Sequence, residues 1–161
     1  MKKLFSLACL ALPCLLFSEV AASPAIHPPL MQEVTSKGEH HKLLSLGNRV
    51  VKHFWELADK HKWHSLKKQI ASDFRAQDTF GDQFTRSAFI QLLQELEISN
   101  VHARATYTQK KDNVLIVLYD LSFDSASHPT ISFSGADLGV FVKKDGKWQW
   151  KTDSNLIPIA E

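Results

Sequence analysis

The spacing of apolar residues changes near residue 100, and this change restricts the possible folds more than any other feature of the sequence. Before it, apolar residues recur with helical spacing and predict three helices. These cover about residues 40–60, 63–70 and 85–96. After it, apolar residues alternate and predict four strands. These cover 101–107, 114–123, 131–141 and 147–151. Helices followed by antiparallel strands predict an α+β domain whose sheet is covered by the helices on one face.

Strands of this length predict a sheet that is curved. Because strands twist, the sheet should curl into a cone around the N-terminal helices, and its mouth can hold a small ligand. Local signals add detail: Phe74–Asp78 predicts a short extended segment, and Thr85 can cap the third helix. Asp145 and Gly146 predict a hairpin turn, since both central residues of that turn need positive φ.

The first 22 residues have the pattern of a secretory signal peptide. Two lysines precede the apolar stretch Leu4–Phe17, and the small residues Ala21 and Ala22 precede Ser23. Cleavage after Ala22 is expected, because the stretch is shorter than the roughly 20 apolar residues of a membrane-spanning helix. The alternatives are an uncleaved anchor and a lipoprotein attached through Cys14.

The predicted product is periplasmic or secreted, and its contact with a membrane is limited to export. Both cysteines, Cys9 and Cys14, lie in the segment to be removed, so the mature chain is expected to form no disulfide. Three prolines among residues 23–39 predict a flexible leader. Residues 40–161 are then expected to form one domain.

The charge pattern and the absence of familiar motifs exclude several classes of function. With 19 lysines and arginines against 17 acidic residues, the sequence has no basic field for nucleic acid. His53, His61 and His64 match no zinc signature, so no metal is expected. No nucleophile elbow and no glycine-rich phosphate loop occurs, so neither covalent hydrolysis nor a cofactor is expected.

Four segments occur in an order and spacing typical of one known fold. They are Val50–Trp55, Asp73–Gly81, the third predicted helix and Lys144–Trp148. Through them, residues 44–157 resemble the nuclear transport factor 2-like superfamily, in particular its SnoaL-like group of ketosteroid isomerases and polyketide cyclases. The resemblance implies the cone-shaped α+β fold. It does not specify function, because this fold serves enzymes, scaffolds and passive binders.

The resemblance to ketosteroid isomerases implies roles for two aspartates. The general base of those enzymes precedes such a glycine turn, which implies that role for Asp78 ahead of Gly81. Asp137 lies near the position of their second, protonated aspartate, which holds the enolate oxygen together with a tyrosine. Phe54 stands at the position of that tyrosine and donates no hydrogen bond. Losing one such donor costs about 2.7–4 kcal/mol of barrier, so isomerase activity on a ketosteroid is not expected.

Each group of candidate site residues has a structural alternative. Asp78 can serve as a turn former, and Asp137 as a charged residue near a glycine at the start of a strand. Six aromatic residues are candidates for binding a flat apolar ligand, and their alternative is core packing. They are Phe54, Trp55, Phe74, Phe80, Tyr119 and Phe133.

Three functions remain open from the sequence. The first is binding of a small apolar or amphipathic molecule in the cone, without catalysis. The second is a cofactor-free isomerase, cyclase or dehydratase with Asp78 as general base and Asp137 assisting. The third is a dimeric interaction module that pairs through the outer sheet face, for which Trp148 and Trp150 are candidates because they alternate on one face.

Overall fold

The computed structural model describes residues 37–130 and 132–157, and these form three helices and six strands. The helices are α1 (Lys37–Asp59), α2 (Trp63–Gln69) and α3 (Arg86–Glu95). The strands are β1 (Ile70–Gln77), β2 (Gln83–Thr85), β3 (Ile98–Lys111), β4 (Val114–Ser125), β5 (Ser132–Lys144) and β6 (Lys147–Ile157). The predicted signal peptide with its two cysteines lies outside the described residues. Within them, no helix is long and apolar enough to cross a membrane.

The strands form one curved, open sheet in the order β2-β1-β6-β5-β4-β3. The predicted α+β fold is confirmed, although the sheet is mixed, because β1 pairs with β6 in parallel. The other neighbours pair antiparallel. Irregular register interrupts β3 after Ser99 and after Ala105, and interrupts the β5–β6 pairing between Val140 and Phe141. Such bulges bend a strand and raise its twist, which is how strands this long curl around the helices.

Helix α1 packs closely along β3. Gly47 permits the approach, because a side chain at that position would overlap the Thr108 hydroxyl. Two polar side chains of the helix then bind backbone amides of β3 beside its irregularities. The Asn48 Oδ1 accepts from the amide of Ala105 at 2.9 Å, and the Asp59 Oδ1 accepts from that of Val101 at 3.1 Å. The helix therefore satisfies donors that the interrupted strand would otherwise leave unpaired.

Several local predictions are confirmed and others need correction. The Thr85 hydroxyl caps α3 by accepting from the amide of Ala88 at 3.4 Å, and Asp145 and Gly146 have φ of 50° and 78°. The predicted leader ends too late, because α1 already begins at Lys37. Ile70, predicted to close the second helix, instead begins β1.

Trp150 lies at the centre of the core. It is 1 % exposed, and its ring centroid lies 5.5–5.8 Å from those of five other aromatic side chains. These belong to Phe54, Trp55, Phe74, Phe89 and Phe141. Much of the cone is therefore filled by packed rings.

Trp148 shares the inner face with Trp150 and is half-buried against the core. Both tryptophans were candidates for an interface on the outer face, and this placement removes them from it. A homodimer remains a prediction, now without these two residues.

Candidate functional site

Two buried aspartates lie on the inner face where β5 meets β6. Asp137 is 2 % exposed and Asp153 is 6 % exposed. In the sheet, Asp137 lies opposite Tyr119 of β4 and Asn155 of β6, while Asp153 lies opposite Gly139 of β5. Three adjacent strands therefore bring two carboxyl groups and one phenol together inside the cone.

Tyr119 links the aspartates to helix α1. Its hydroxyl donates to the Asp153 Oδ1 at 2.8 Å and accepts from the Trp55 Nε1 at 3.3 Å. To reach Asp153 from β4, the phenol ring must pass over β5. Gly139 permits this, because a Cβ there would lie 2.8 Å from the Phe141 ring and 3.3 Å from the Tyr119 ring. The hydrogen-bonded chain from Trp55 through Tyr119 to Asp153 therefore requires glycine at position 139.

Asp137 carries an unsatisfied oxygen. Its Oδ1 is buried without a hydrogen-bond partner in the part of the chain that the structure describes. Burial raises the pKa of Asp137 from 3.8 to about 7, against the opposing effect of a hydrogen bond with Asn155. Buried polar atoms are rarely left unpaired, so this oxygen is a candidate contact for a bound molecule.

Asp153 and Tyr119 are perturbed by the same environment. Burial, followed by repulsion from Asp137, raises the pKa of Asp153 well above its ordinary value, and the Tyr119 hydrogen bond opposes this. Burial, followed by the neighbouring carboxylates, raises the pKa of Tyr119 as well. Two like charges in one buried cluster cannot both form at low cost, so the pair retains at least one proton near neutral pH. The cluster can therefore give or take a proton in that range.

Replacing Tyr119 with phenylalanine is expected to lower the free energy of unfolding by about 1–3 kcal/mol, because Asp153 would lose the donor to its buried Oδ1. Urea unfolding followed by circular dichroism measures the change. Tyr107→Phe is the matched control, since Tyr107 is 47 % exposed. Equal stability of both variants would contradict a structural role for the hydroxyl.

A cavity of about 630 Å³ lies beside this cluster, between α1 and strands β3, β4 and β5. Its walls are Asn48, Lys52, Trp55, Glu56, Val101, His102, Ala103, Arg104, Asp120, Leu121, Ser122 and Ser134. Charges of both signs line it, and the Arg104 Nη2 lies 3.1 Å from the Asp120 Oδ2. Trp55 belongs to both the cavity wall and the hydrogen-bonded chain, so it joins the cavity to the acidic cluster.

Asp78, the predicted general base, lies in the turn that follows β1. Its Oδ1 accepts from the amides of Phe80 and Asp82, both at 2.9 Å, as the turn-forming alternative requires. Gln77 pairs with Ser154, so Asp78 lies at the same end of the sheet as Asn155. The carboxyl group of Asp78 nevertheless binds amides of its own turn. It is not among the groups that shift the pKa of Asp137 or Asp153.

The six predicted ligand-binding aromatic residues separate into different environments. Trp55 and Tyr119 belong to the site, while Phe54 and Phe74 pack in the core against Trp150. Phe133 stacks on Phe123 with 4.7 Å between ring centroids. Phe80 is 91 % exposed, so here the structure departs from the prediction that it lines a pocket.

Sequence reasoning missed Asp153. The alternation of Trp148 and Trp150 would turn Thr152 inward, but the strand pairing skips Lys151, and Asp153 takes the inner position instead. A bulge of this kind leaves no regular pattern in the sequence. Asn155 was missed for a different reason, since the predicted strand ended at residue 151 whereas β6 continues to Ile157.

Two of the three histidines considered for a metal site, His53 and His61, have other partners. The His53 Nε2 lies 2.8 Å from the Gln69 Oε1, and the His61 Nε2 lies 3.0 Å from the carbonyl of Ile98. Among the described residues, no group of three or more histidine, cysteine or acidic side chains could hold a metal ion.

Comparison with known proteins identifies the architecture. Three helices against a curved six-stranded sheet, with an acidic cluster inside, define a cone-shaped α+β protein. The chain has the nuclear transport factor 2-like (NTF2-like) fold, which confirms the fold that the sequence resemblance implied. No family model matches the chain, and no curated protein matches it.

Three solved structures illustrate the likeness. An NTF2-like protein of Cytophaga hutchinsonii superposes with a TM-score of 0.57 at 15% identity, covering 63% of this chain and 87% of its own. A conserved protein of Planctomyces limnophilus gives 0.60 at 19% identity, covering 71% and 97%. A putative SnoaL-like polyketide cyclase of Shewanella putrefaciens gives 0.51 at 10% identity, covering 65% and 75%. At these identities the likeness concerns the fold.

Proposed function

We propose that the protein binds a small amphipathic molecule in the 630 Å³ cavity beside the aspartate pair. The observation that carries this proposal is the cavity itself, whose wall residue Trp55 donates to Tyr119 of the buried cluster that holds the two aspartates. An apolar part of the ligand would pack on Trp55, Leu121 and Ala103, which line the cavity. A polar part would contact the hydrogen-bonded chain that runs from Trp55 through Tyr119 to Asp153. The volume lies in the range of roughly 300–1,000 Å³ typical of small-molecule sites.

The site of action is proposed to be the periplasm or the exterior of the cell, because residues 1–22 carry a signal-peptide pattern.

A second candidate function is cofactor-free proton transfer, as in an isomerase, cyclase or dehydratase. It is favoured by the pKa of Asp137, which burial raises to about 7, near the value that suits a general acid or base at neutral pH. In this proposal Asp137 takes the role that the sequence suggested for Asp78, because the Asp78 carboxylate is bonded within its turn. The neutral acid of the pair would donate a hydrogen bond to an oxygen on which negative charge develops.

A cavity-filling substitution tests the binding proposal. Ser134 is an exposed residue of the cavity wall, so Ser134→Trp is expected to weaken binding of amphipathic ligands by at least about tenfold while preserving the fold. Ligands come from a screen of small alcohols, ketones and amines by ligand-observed NMR. Ser87→Trp is the control, because Ser87 is exposed on α3 and is not part of the cavity wall.

Equal affinity of the hits for both variants would contradict the assignment to this cavity. The same samples separate the two functions, because any conversion of a hit is visible in its NMR spectrum. Asp137→Asn should then abolish conversion while sparing binding if the protein is a catalyst. If the wild-type protein binds its hits but converts none of them chemically, that result would favour the binding function alone.

A further inference from the structure

A second cavity, of about 710 Å³, lies between α1, α2 and the β5–β6 hairpin. Its apolar surface comes from the buried Val50 and Phe54 and from the half-buried Leu46 and Trp148. Its remaining walls are Arg49, His53, Ser65, Lys68, Gln69, Gly146 and Lys147. None of these residues lines the first cavity, so this is a separate site.

The charged side chains in the walls of this second cavity are all basic. Arg49 comes from α1, Lys68 from α2 and Lys147 from the hairpin, and no aspartate or glutamate lines the cavity. In the described part of the chain, the ion pairs join Lys60 to Glu56, Arg104 to Asp120 and Lys151 to Asp73. The three cations of the second cavity therefore have no acidic partner among the described residues.

This concentration of charge does not follow from composition. The sequence contains nearly equal numbers of basic and acidic residues, 19 and 17, and the first cavity is lined by both signs. The neighbourhood of Trp148 adds positive charge, because the Lys143 Nζ lies 5.9 Å from its ring centroid. Three separate elements thus converge on a concave surface with an apolar floor and a positive rim.

We propose that this second cavity binds a small organic anion with an apolar body. A carboxylate, sulfonate or phosphate group would be held by Arg49, Lys68 and Lys147, since a guanidinium group pairs with two oxygens of such an anion. The apolar body would pack against Phe54 and Trp148. The cavity has the size of a small-molecule site.

The test uses 8-anilinonaphthalene-1-sulfonate, an aromatic sulfonate whose fluorescence rises on binding. The neutral N-phenyl-1-naphthylamine has a similar apolar body and serves as the uncharged comparison. The double substitution Arg49→Gln with Lys68→Gln should weaken binding of the sulfonate by at least about tenfold and change binding of the neutral probe much less. Added salt should weaken binding of the sulfonate more than binding of the neutral probe.

The matched control is Lys42→Gln with Lys67→Gln. Both lysines are exposed and line neither cavity, and the control removes the same two charges from the same two helices. Its sulfonate affinity is expected to stay within about twofold of the wild type, because charge at a distance is screened. In labelled protein, the Trp148 indole and the Gly146 amide should shift during the titration.

Equal weakening in both double variants would overturn the proposal, because it would reveal a general charge effect. So would shifts at Asn48 and Ser134 in place of Trp148 and Gly146, since those residues line the first cavity. A third result also overturns it. If the double substitution Arg49→Gln with Lys68→Gln abolished binding to phosphatidylglycerol vesicles but left the sulfonate affinity unchanged, the surface would be assigned to a membrane. None of these outcomes bears on the first cavity, which the Ser134→Trp variant tests separately.

Discussion

Replacing Asp137 with asparagine is expected to stabilise the protein by up to about 4 kcal/mol near pH 8 and to change its stability little near pH 4. Burial raises the pKa of Asp137 from 3.8 to about 7, so in the folded state this carboxyl keeps a proton that the unfolded chain releases. The unfolded state therefore binds fewer protons across this range, and the wild-type free energy of unfolding falls as pH rises from about 4 to 7. Asparagine does not ionise in this range, so the free energy of unfolding of the variant does not fall for this reason as pH rises.

Urea unfolding at several pH values measures the effect. The wild-type free energy of unfolding should decline more steeply than that of Asp137→Asn, by up to about 1.4 kcal/mol per pH unit for one proton. Asp145→Asn is the control, because Asp145 is exposed and asparagine before Gly146 suits the same turn. Parallel curves for the wild type and Asp137→Asn would show that Asp137 titrates as an ordinary carboxyl group.

Replacing Trp150 with alanine is expected to lower the free energy of unfolding by about 3–5 kcal/mol, a large share of the stability of a small domain. Trp150 is 1 % exposed and contacts five aromatic rings. Its removal leaves a cavity, because these neighbours are fixed on several helices and strands and cannot all move in to fill it. Urea unfolding followed by circular dichroism measures the loss.

Two further variants keep this prediction open to contradiction if Trp150→Ala does not fold. Trp150→Phe retains an aromatic ring and should lose less stability. Trp148→Ala removes a half-buried tryptophan from the same strand and should cost clearly less than Trp150→Ala. Similar losses for both alanine variants would mean that Trp150 is not the centre of the core.

The class of fold was predictable because it depends on the period of apolar residues, which changes from helical to alternating near residue 100. The turn at Asp145 and Gly146 and the cap at Thr85 were predictable for a similar reason, since both depend on neighbouring residues. The parallel pairing of β1 with β6 was not predictable, because the two strands are far apart in sequence and no local pattern indicates which strands pair. Strand β2 was missed because its three residues are too few to show a period.

The candidate site was predictable in part. Asp137 was named through a resemblance to ketosteroid isomerases, and the structure places it in a buried cluster. Tyr119 was named as an apolar lining residue, whereas the structure shows its hydroxyl bonded to Asp153 and Trp55. Asp153 itself was missed, because an irregularity at Lys151 changes which side chains face inward. Hydrogen bonds between distant strands have no signature in local sequence.

The packing of α1 on β3 covers part of an open edge of the sheet. Strand β3 ends the sheet on one side, and such an edge is a template for intermolecular strand pairing and aggregation. Here the helix occupies part of that template, since Asn48 and Asp59 hold the amides of Ala105 and Val101. At the far end of β3 the exposed lysines 110 and 111 discourage a second strand. Edge-to-edge association through β3 would therefore have to displace a helix, and contact through the face of the sheet would not.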